Sequence, residues 1–539
     1  MDRQVLGLAA ILTVAAIGAE ADTYPRQPAI DAQHYTFRLV LRDDTEEIAG
    51  DASVTVRFLA SGTSGFALDL ASRANGKGMA VTEVSSSAGH LRYQHTNDRL
   101  TITLETPPLA GELRTFRIQY RGIPANGLRI IPNKFGERTF FSENWPNRAR
   151  EWLPTIDHPY DKATSEFIIT APAKYQVVSN GLLVEQTDLG DSRRVTHWKQ
   201  SVPIASWLNA IGVAQFSFRN FATLSGIPLQ TWVYHQERDN GITVFDKPAL
   251  RALEFYRDHI GPYPYEKLAD VEAAGISGGT EHASAIFYGE KSVQDKPATD
   301  LVAHEIAHQW FGNAVTENDW DDVWLSEGFA TYFTLLCTEH DEGRDAFVAG
   351  LKRSRETVLS LEARMPGVAV IHDNLSDMKK VLNQIIYQKG GWTLHMLRSQ
   401  IGTDAFWAGI QDYYDRYRDS NASTDDFRRV MEEHAHADLR WFFDQWLRRP
   451  GSPWIEGTWT YDSRSKNIRV DLKQVQPGQP YKLSLQLGIQ TSDAAPARVE
   501  SVELDEKHEV FEITCGETPS AVILDPETRV LMKAEFTRR

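Results

Sequence analysis

One five-residue segment, His304-Glu305-Ile306-Ala307-His308, constrains this chain more than any other feature. Two histidines four residues apart lie on the same face of a helix, so both imidazoles can reach one ion. Residues 309–326 separate the segment from Glu327, a spacing that lets a second, antiparallel helix bring a third ligand to that ion. Histidine is scarce, 16 of 539 residues, so a chance coincidence of surface histidines is disfavoured.

This pattern predicts a catalytic zinc site. Zinc in hydrolases commonly takes three protein ligands, His2Glu among them, and leaves its fourth position to water. We therefore expect His304, His308 and Glu327 to bind one Zn2+ per chain. Glu305 lies between the two histidines and faces the open side, where a carboxylate can accept a proton from water, so we expect it to act as general base.

The helix that carries the histidines has recognisable limits in the sequence. Its apolar positions follow the helical period, and Thr299 or Asp300 is placed to cap its start. Gly312-Asn313 is placed to end it. A second helix is predicted to begin near Glu327, with an apolar side that follows it.

Longer segments around these residues resemble the M1 zinc aminopeptidases, gluzincins with a thermolysin-like catalytic domain. The segments are HEIAHQWFGN at His304 through Asn313, WLSEGFAT at Trp324 through Thr331, GGTEH at Gly278 through His282, YQKGGW at Tyr387 through Trp392, and residues 145–159. The resemblance covers roughly residues 30–450. It implies a three-domain form without the C-terminal helical domain of larger family members.

The resemblance implies roles for three further residues. Tyr387 stands where the family has a tyrosine that stabilises the tetrahedral oxyanion. Glu281 stands where the family has a carboxylate that binds the substrate α-ammonium, and Glu143 lies near the family's second amine contact. The segment around Glu281 departs from the family motif at Thr280 and His282, and an ordinary glycine-rich turn is the alternative interpretation.

Two glycines and one threonine complete the candidate site. Gly278 and Gly279 lack side chains, so a substrate backbone could approach and pair with this edge. Thr331, one helical turn after Glu327, either holds a zinc ligand in place or is a plain helix-face residue.

The N-terminus predicts an exported protein. Residues 1–21 have the pattern of a signal peptide, in which Arg3 precedes an apolar run and small residues end at Ala21. The run is too short for a membrane anchor, which needs about 20 apolar residues. We expect cleavage after Ala21, a periplasmic or secreted location, and no membrane span in the mature chain.

Charge and cysteine content restrict the partners and ligands of the chain. The net charge of −16 becomes −15 in the mature chain, because the charges in residues 1–21 sum to −1. This acidic balance argues against nucleic acid as a partner. The two cysteines, Cys337 and Cys515, fit no zinc pattern, and they either pair as a disulfide or remain as two buried thiols.

The periodicity of apolar residues predicts an α+β multidomain fold. Short alternating runs predict an N-terminal β-rich domain over residues 22–222. Helical patterns dominate residues 223–448, which we interpret as the thermolysin-like zinc catalytic domain. A proline-rich linker follows, and alternation returns in a C-terminal β-sandwich over residues 453–539.

The resemblance implies a zinc-dependent aminopeptidase that removes the N-terminal residue from peptides with a free N-terminus. Two alternatives use the same residues. One is a bifunctional aminopeptidase and epoxide hydrolase, as one branch of the family is. The other is a non-hydrolytic zinc-binding interaction protein on the same fold, against which the presence of both Glu305 and Tyr387 argues.

Overall fold

A computed structural model of the chain describes residues 22–492 and 497–539. The predicted signal peptide therefore lies outside the described residues. The N-terminal part consists of strands. They are β1 (Ile30–Val40), β2 (Ile48–Phe58), β3 (Gly65–Asp69), β4 (Gly78–Ser86), β5 (Gly89–His90), β6 (Tyr93–Thr96), β7 (Arg99–Thr103), β8 (Leu113–Ile123), β9 (Leu128–Pro132), β10 (Arg138–Ser142), β11 (Lys162–Pro172), β12 (Gln176–Ser179), β13 (Leu182–Asp188), β14 (Arg193–Ala205) and β15 (Ile211–Ala214).

Alternation of apolar and polar residues explains how these strands pack. Along β2, the side chains of Ala52, Val54, Val56 and Phe58 are all buried, and the residues between them are partly exposed. Such strands form an eight-stranded sheet in the order β13-β14-β11-β1-β2-β8-β4-β5. Smaller sheets, β12-β15-β10-β9 and β3-β7-β6, cover its apolar face. The predicted β-rich N-terminal domain is confirmed.

The next part of the chain is mainly helical. Its strands are β16 (Phe216–Leu224), β17 (Ile227–Tyr234), β18 (Leu268–Ala273), β19 (Gly279–Thr280), β20 (Ala285–Gly289), β21 (Val315–Glu317) and β22 (Ser420–Ala422). Its helices are α1 (Arg238–Gly241), α2 (Lys247–His259), α3 (Thr299–Ala307), α4 (Trp324–Glu342), α5 (Arg344–Arg364), α6 (Gln384–Ile401), α7 (Thr403–Tyr417), α8 (Thr424–Ala435) and α9 (Arg440–Phe443). A five-stranded sheet, β16-β17-β18-β20-β19, leaves β19 at its edge.

Strand β16 crosses residue 222, the predicted end of the N-terminal domain. It pairs antiparallel with β17, from Phe216 opposite Tyr234 to Leu224 opposite Ile227. The strand therefore belongs to the sheet of the helical part. The other domain limits stay predictions.

Helix α3 is shorter than predicted. It begins at Thr299 without a side-chain cap and ends at Ala307, with His308 next to it in helical conformation. The chain then bends before Gly312, because the Val315 N–H donates to the Trp310 carbonyl over 3.0 Å and the Gly312 N–H donates to the Val315 carbonyl over 2.8 Å. This bend returns the chain to β21, so the prediction that Gly312-Asn313 ends the helix was wrong by about a turn.

Helices α4 and α6 are in backbone contact at a pair of glycines. A Cβ atom added to Gly328 would lie 2.9 Å from the Cα atom of Gly390. Real Cβ atoms do not approach this closely, so neither position has room for a side chain. The contact places the first turn of α4, with Glu327, beside the first turn of α6, with Tyr387.

The C-terminal part consists of two packed sheets. Their strands are β23 (Trp454–Asp462), β24 (Asn467–Gln474), β25 (Leu483–Gln490), β26 (Arg498–Leu504), β27 (His508–Thr514), β28 (Ala521–Leu524) and β29 (Lys533–Arg538). The sheets, β27-β24-β23-β29 and β26-β25-β28, bury the apolar residues that alternate along β24 and β25. The predicted C-terminal β domain is confirmed. The buried ammonium of Lys389 in α6 donates to the carbonyl of Gly451, in the linker that leads to this domain, over 2.5 Å and pairs with Glu362 of α5 over 3.0 Å.

Two further sequence features have structural counterparts. Cys337 and Cys515 are both buried and both free, so they form no disulfide. Within the described ranges, 22–492 and 497–539, none of the helices combines the length and the apolar character needed to cross a membrane.

The glycine contact between α4 and α6 predicts the effect of Gly328→Ala. The added methyl group must push the helices apart, so we expect the free energy of unfolding to fall by about 1–3 kcal/mol. Urea denaturation followed by tryptophan fluorescence measures this change. Gly516→Ala is the matched control, because nothing lies within 4 Å of its added Cβ. Equal stability of the two variants would contradict the close contact.

Candidate active site

The structure brings the three predicted zinc ligands together. The Nε2 atoms of His304 and His308 are 3.2 Å apart, and Glu327 Oε2 lies 3.5 Å from the first and 3.4 Å from the second. His308 and Glu327 are buried, whereas the His304 side chain is 20% exposed and forms the open side of the cluster. His304 lies in the last turn of α3, His308 follows the end of that helix, and α4 supplies the carboxylate.

These distances fit a zinc ion. Two nitrogens bound tetrahedrally at the usual Zn–N distance are separated by about 3.3 Å. All the candidate ligand atoms lie within 4.8 Å of one another. In the described part of the chain, the buried Glu327 Oε2 accepts no hydrogen bond, so it has a free lone pair. Burial alone would raise the pKa of Glu327, but both histidines lower it, so the carboxylate stays charged, as a ligand must be.

Ser326 orients one of the histidines. The His308 Nδ1 atom lies 3.0 Å from Ser326 Oγ and 3.2 Å from the Phe311 carbonyl oxygen. A proton on Nδ1 is donated to these acceptors, which leaves the lone pair on Nε2 for a metal. Thr331, for which the sequence left a supporting role and a plain helix-face position open, lines the cavity and packs near Gly391.

Tyr387 is placed against the remaining oxygen of Glu327. Its hydroxyl donates a hydrogen bond to Glu327 Oε1 over 2.8 Å, and its ring lies roughly parallel to the His304 imidazole at a centroid distance of 6.2 Å. Burial and the neighbouring Glu327 carboxylate raise the pKa of Tyr387. The hydroxyl therefore keeps its proton and remains a hydrogen-bond donor at the open side of the cluster.

Glu305 is buried directly behind Gly279. A Cβ atom added to Gly279 would lie 2.4 Å from Glu305 Oε1, so strand β19 can pass this carboxylate only because the residue is glycine. The neighbouring Gly278 has φ +74°, a conformation that favours glycine, and faces open space. Burial raises the pKa of Glu305 well above its ordinary value.

Glu281 follows β19 and lies in the same cavity. Its backbone carbonyl accepts hydrogen bonds from the side-chain amides of Gln309 and Asn313 over 3.2 and 2.6 Å, which fixes the segment to the end of α3. The carboxylate is buried, and burial raises its pKa. In the described residues no hydrogen bond or salt bridge involves its side chain, so the carboxylate can receive a cation from the cavity.

Glu143 reaches the cavity but is already paired. Its carboxylate forms ion pairs with Arg129 and, over 2.7 Å, with Arg148. Two guanidinium groups therefore neutralise the charge that a second amine contact would use. The residue lines the cavity beside Trp145, on the wall that the N-terminal domain provides.

The two departures from the family motif have different positions. Thr280 lines the cavity. His282 is fully buried, and its ring packs edge-to-face on Phe287 at 4.9 Å. Burial lowers the pKa of His282 to about 4, so the side chain is neutral and structural. Only the change at Thr280 alters the wall that a ligand contacts.

The cavity has a volume of about 840 Å³ and lies between the N-terminal and helical parts. Its walls come from the strand edge at β19, from helices α3 to α6, and from the N-terminal domain. The residues that line it also include Arg353, Ser354 and Thr357 of α5. A cleft of this size accommodates a short peptide or a drug-sized ligand.

Two family models match the chain. The peptidase family M1 domain matches residues 247–446, and the peptidase M1 N-terminal domain matches residues 31–208. The chain belongs to peptidase family M1. The resemblance seen in the sequence motifs is thereby confirmed.

Curated M1 relatives match the same region. Aminopeptidase A of Gloydius brevicauda is 31% identical over 334 residues, which cover 58% of this chain and 34% of the relative. Human glutamyl aminopeptidase is 28% identical over 356 residues, which cover 63% of this chain and 37% of the relative. The chain therefore spans only about a third of the length of these relatives.

Solved M1 structures resemble about four fifths of the chain. A crystal structure of an M1 zinc metallopeptidase from Deinococcus radiodurans superposes with a TM-score of 0.68 at 25% identity, covering 79% of this chain and 95% of that chain. A mutant of the M1 zinc metallopeptidase from the same organism, bound to a Tyr-Ser-Ala substrate, gives a TM-score of 0.67 at 26% identity. It covers 78% of this chain and 94% of that chain.

The structure also shows contacts in this M1 protein that the sequence motifs did not predict. Ser326 contacts His308, a candidate zinc ligand, and its position next to Glu327 was the available indication in the sequence. Gln309 and Asn313 hold Glu281 and lie inside the HEIAHQWFGN segment, although the sequence does not indicate what they contact. The pairing of Glu143 with Arg129 had no sequence signal.

The contact between Ser326 and His308 predicts a change in metal affinity. We expect Ser326→Ala to weaken zinc binding about tenfold, because His308 loses one acceptor that orients its ring. Competition with a chromophoric chelator measures the dissociation constant. Ser354→Ala is the matched control, since Ser354 lines the same cavity from α5 and is not part of the ligand cluster. Unchanged zinc affinity in Ser326→Ala would contradict this role of Ser326 and show that the Phe311 carbonyl alone orients His308.

Proposed function

We propose that the chain is a zinc-dependent aminopeptidase that binds one zinc ion and removes the N-terminal residue from peptides. The observation that carries the proposal is the position of Glu281. Its buried carboxylate lies in the cavity that contains the three ligand side chains and Glu305. A substrate whose α-ammonium pairs with Glu281 has its first peptide bond close to that cluster, which is the geometry of an exopeptidase.

The metal is part of the proposal. Bound by His304, His308 and Glu327, zinc would supply Lewis-acid chemistry, polarising the peptide carbonyl and lowering the pKa of a water molecule. The remaining chemistry belongs to the side chains of the chain.

Glu305 is the proposed proton carrier. It follows His304 on α3, and its carboxylate lies against Gly279 at the cavity edge. A buried carboxylate with a raised pKa accepts a proton from the attacking water and releases it to the leaving amine. The same residue then serves both proton transfers.

Tyr387 is the proposed oxyanion donor. Its protonated hydroxyl lies on the open side of the ligand cluster and donates to Glu327 Oε1. A short movement transfers this hydrogen bond to a developing negative charge on the substrate, where a fixed donor lowers the barrier.

The amine anchor depends on charge balance. Glu281, Glu305 and Glu327 place three carboxylates in one cavity, so the cavity attracts an ammonium group. The charge of Glu143 is neutralised by Arg129 and Arg148. We therefore propose that Glu143 contacts the substrate amine but contributes less of the attraction than Glu281. The first side chain of the substrate would contact Thr280, the residue at which the pocket departs from the family motif.

A matched pair of peptides tests the activity. We expect a peptide with a free α-amine to be cleaved after its first residue, and its N-acetylated form to be cleaved at least about tenfold more slowly, since acetylation removes the charge that pairs with Glu281. Glu281→Gln should raise KM for the free peptide about tenfold or more and lose the preference. Mass spectrometry of the products measures both rates.

The free and N-acetylated peptides also distinguish the aminopeptidase from other possible functions. Cleavage of the acetylated peptide at internal bonds would indicate an endopeptidase. Binding of zinc without cleavage of either peptide would indicate the non-hydrolytic interaction protein.

The proton carrier is tested by Glu305→Gln. We expect this variant to retain zinc and peptide binding but to lose at least about a hundredfold in kcat, because only the proton acceptor is removed. Metal content is measured by atomic absorption and kcat by product release. Glu342→Gln, at the exposed end of α4, is the control and should behave as the unmodified protein. A normal kcat in Glu305→Gln would remove this residue from the mechanism.

A further inference from the structure

The first residue that the structure describes, Asp22, is buried and bound through its backbone nitrogen. This nitrogen lies 3.0 Å from Asp319 Oδ1 and 3.1 Å from Asp319 Oδ2. A peptide N–H has one hydrogen to offer, and here it is shared between two carboxylate oxygens. An α-ammonium has three hydrogens and a positive charge, and it satisfies such a carboxylate better.

The side chain of Asp22 is held as firmly as its backbone. Asp22 Oδ2 lies 2.8 Å from His158 Nε2 and accepts the Trp320 N–H over 3.2 Å. Asp22 Oδ1 accepts the Tyr24 N–H over 3.0 Å. The side chains of Asp22 and His158 are each 1% exposed. Contacts of both its backbone and its side chain therefore fix Asp22 between the N-terminal domain and the segment before α4.

The charges around this site are not balanced. Asp22, Asp319 and Asp321 place three carboxylates close together. Within the described residues, Arg26 pairs with Asp319 Oδ2 over 3.1 Å and His158 pairs with Asp22 Oδ2 over 2.8 Å, and no other basic side chain forms a salt bridge with the three carboxylates. Burial raises the pKa of Asp321, and the nearby Asp319 and Asp22 carboxylates raise it further. One more cation beside Asp319 would relieve this repulsion.

We propose that hydrolysis of the peptide bond between Ala21 and Asp22 creates an α-ammonium on Asp22 that binds the carboxylate of Asp319. The predicted signal peptide ends at Ala21, so a signal peptidase is the enzyme class that would cut there. Water adds across the bond, Ala21 leaves with the new carboxylate, and the Asp22 nitrogen gains protons. Cleavage during export thus supplies the charged group that pairs with Asp319 in the folded chain.

The ion pair stabilises the segment that leads to a zinc ligand. Asp319 also accepts the Asp321 N–H over 3.0 Å, so it caps the short turn Trp320–Asp322 immediately before α4. Trp320 packs edge-to-face on Trp145, a residue of the cavity wall, at 5.5 Å. The new N-terminus is therefore a positioning group for the cavity, acting through Asp319 and Trp320.

The same N-terminal residues contact the segment that precedes Tyr387. The Thr23 N–H donates to the Leu375 carbonyl over 3.3 Å, and Asp321 accepts the Leu375 N–H over 2.9 Å. Residues 22–26 thus join the chain before α4 to the chain before α6.

The mass of the exported protein is the first test. Expression of the whole 539-residue chain in a bacterium, followed by intact-mass measurement of the exported product, should give a chain that begins at Asp22. A mature chain that begins at any other residue would overturn the proposal.

Reactivity of the α-amine is the second test, and it requires no mutation. Acetic anhydride at pH 7 acetylates only neutral amines. We expect the α-amine of Asp22 in the mature protein to react at least about tenfold more slowly than that of the free peptide Asp-Thr-Tyr-Pro. Each unit by which the ion pair raises the pKa of the amine lowers the neutral fraction about tenfold. Equal rates would show that Asp319 does not bind the amine.

Two variants assign the effect to Asp319. In Asp319→Asn the amine should react at a rate approaching that of the peptide, because the acceptor charge is lost. Glu105→Gln, which removes an exposed carboxylate, should react as slowly as the unmodified mature protein. Slow reaction in Asp319→Asn would assign the protection to another group and overturn the ion pair.

A one-residue extension tests the contribution to stability. A mature chain prepared with Ala21 retained should melt about 2 °C or more below the chain that begins at Asp22, because the charged group is displaced from Asp319. The same extension should have no effect in Asp319→Asn, as expected for two groups that act through one contact. An equal loss in both backgrounds would contradict the proposal. If Asp319→Asn does not fold, the extension and the labelling rate in the unmodified sequence still decide it. None of these measurements depends on peptidase activity.

Discussion

The central constraint in this structure is the burial of three carboxylates, Glu281, Glu305 and Glu327, in one cavity. Like charges in a low-dielectric site raise one another's pKa and oppose folding unless a cation compensates them. The two histidines of the HEIAH segment compensate only in part. A divalent metal between the ligand atoms and an ammonium group at Glu281 would complete the balance. The cavity is therefore suited to the metal and to the charged end of a substrate by the same electrostatic requirement.

The scaffold keeps these groups at fixed separations. Backbone contact at Gly328 and Gly390 brings α4 and α6 together, so that Glu327 and Tyr387 are in hydrogen-bond contact. On the other side, Gly279 allows the edge strand β19 to pass close to the carboxylate of Glu305, the proposed general base. The N-terminal domain forms one wall of the cavity, where Glu143 is already paired with Arg129 and Arg148. Helices carry the candidate reacting groups, and the sheet edge at β19 borders the cavity.

Local patterns predicted most of the architecture. Alternation of apolar residues indicated both β domains, since a period of two is set by the backbone itself. Helical spacing indicated that His304 and His308 share a face, and the structure places them together. The same local reasoning placed the end of α3 too late, because a bend stabilised by the Val315 N–H overrides the helical pattern. The predicted domain limit at residue 222 falls inside strand β16. The composition of this strand does not indicate which sheet it joins, because that depends on its pairing with β17.

Residue type and short spacing along one or two helices were sufficient to predict the family, which the comparisons confirm, and the candidate zinc ligands and general base. Which carboxylates are paired and which are available to a ligand depends on the packing of the domains. Glu143 is paired with Arg129 and Arg148, whereas the Glu281 carboxylate faces the cavity. Asp22 meets Asp319 across 297 positions of the chain. Such contacts join distant segments, and no local period or propensity encodes them, so they exist only once the domains have packed.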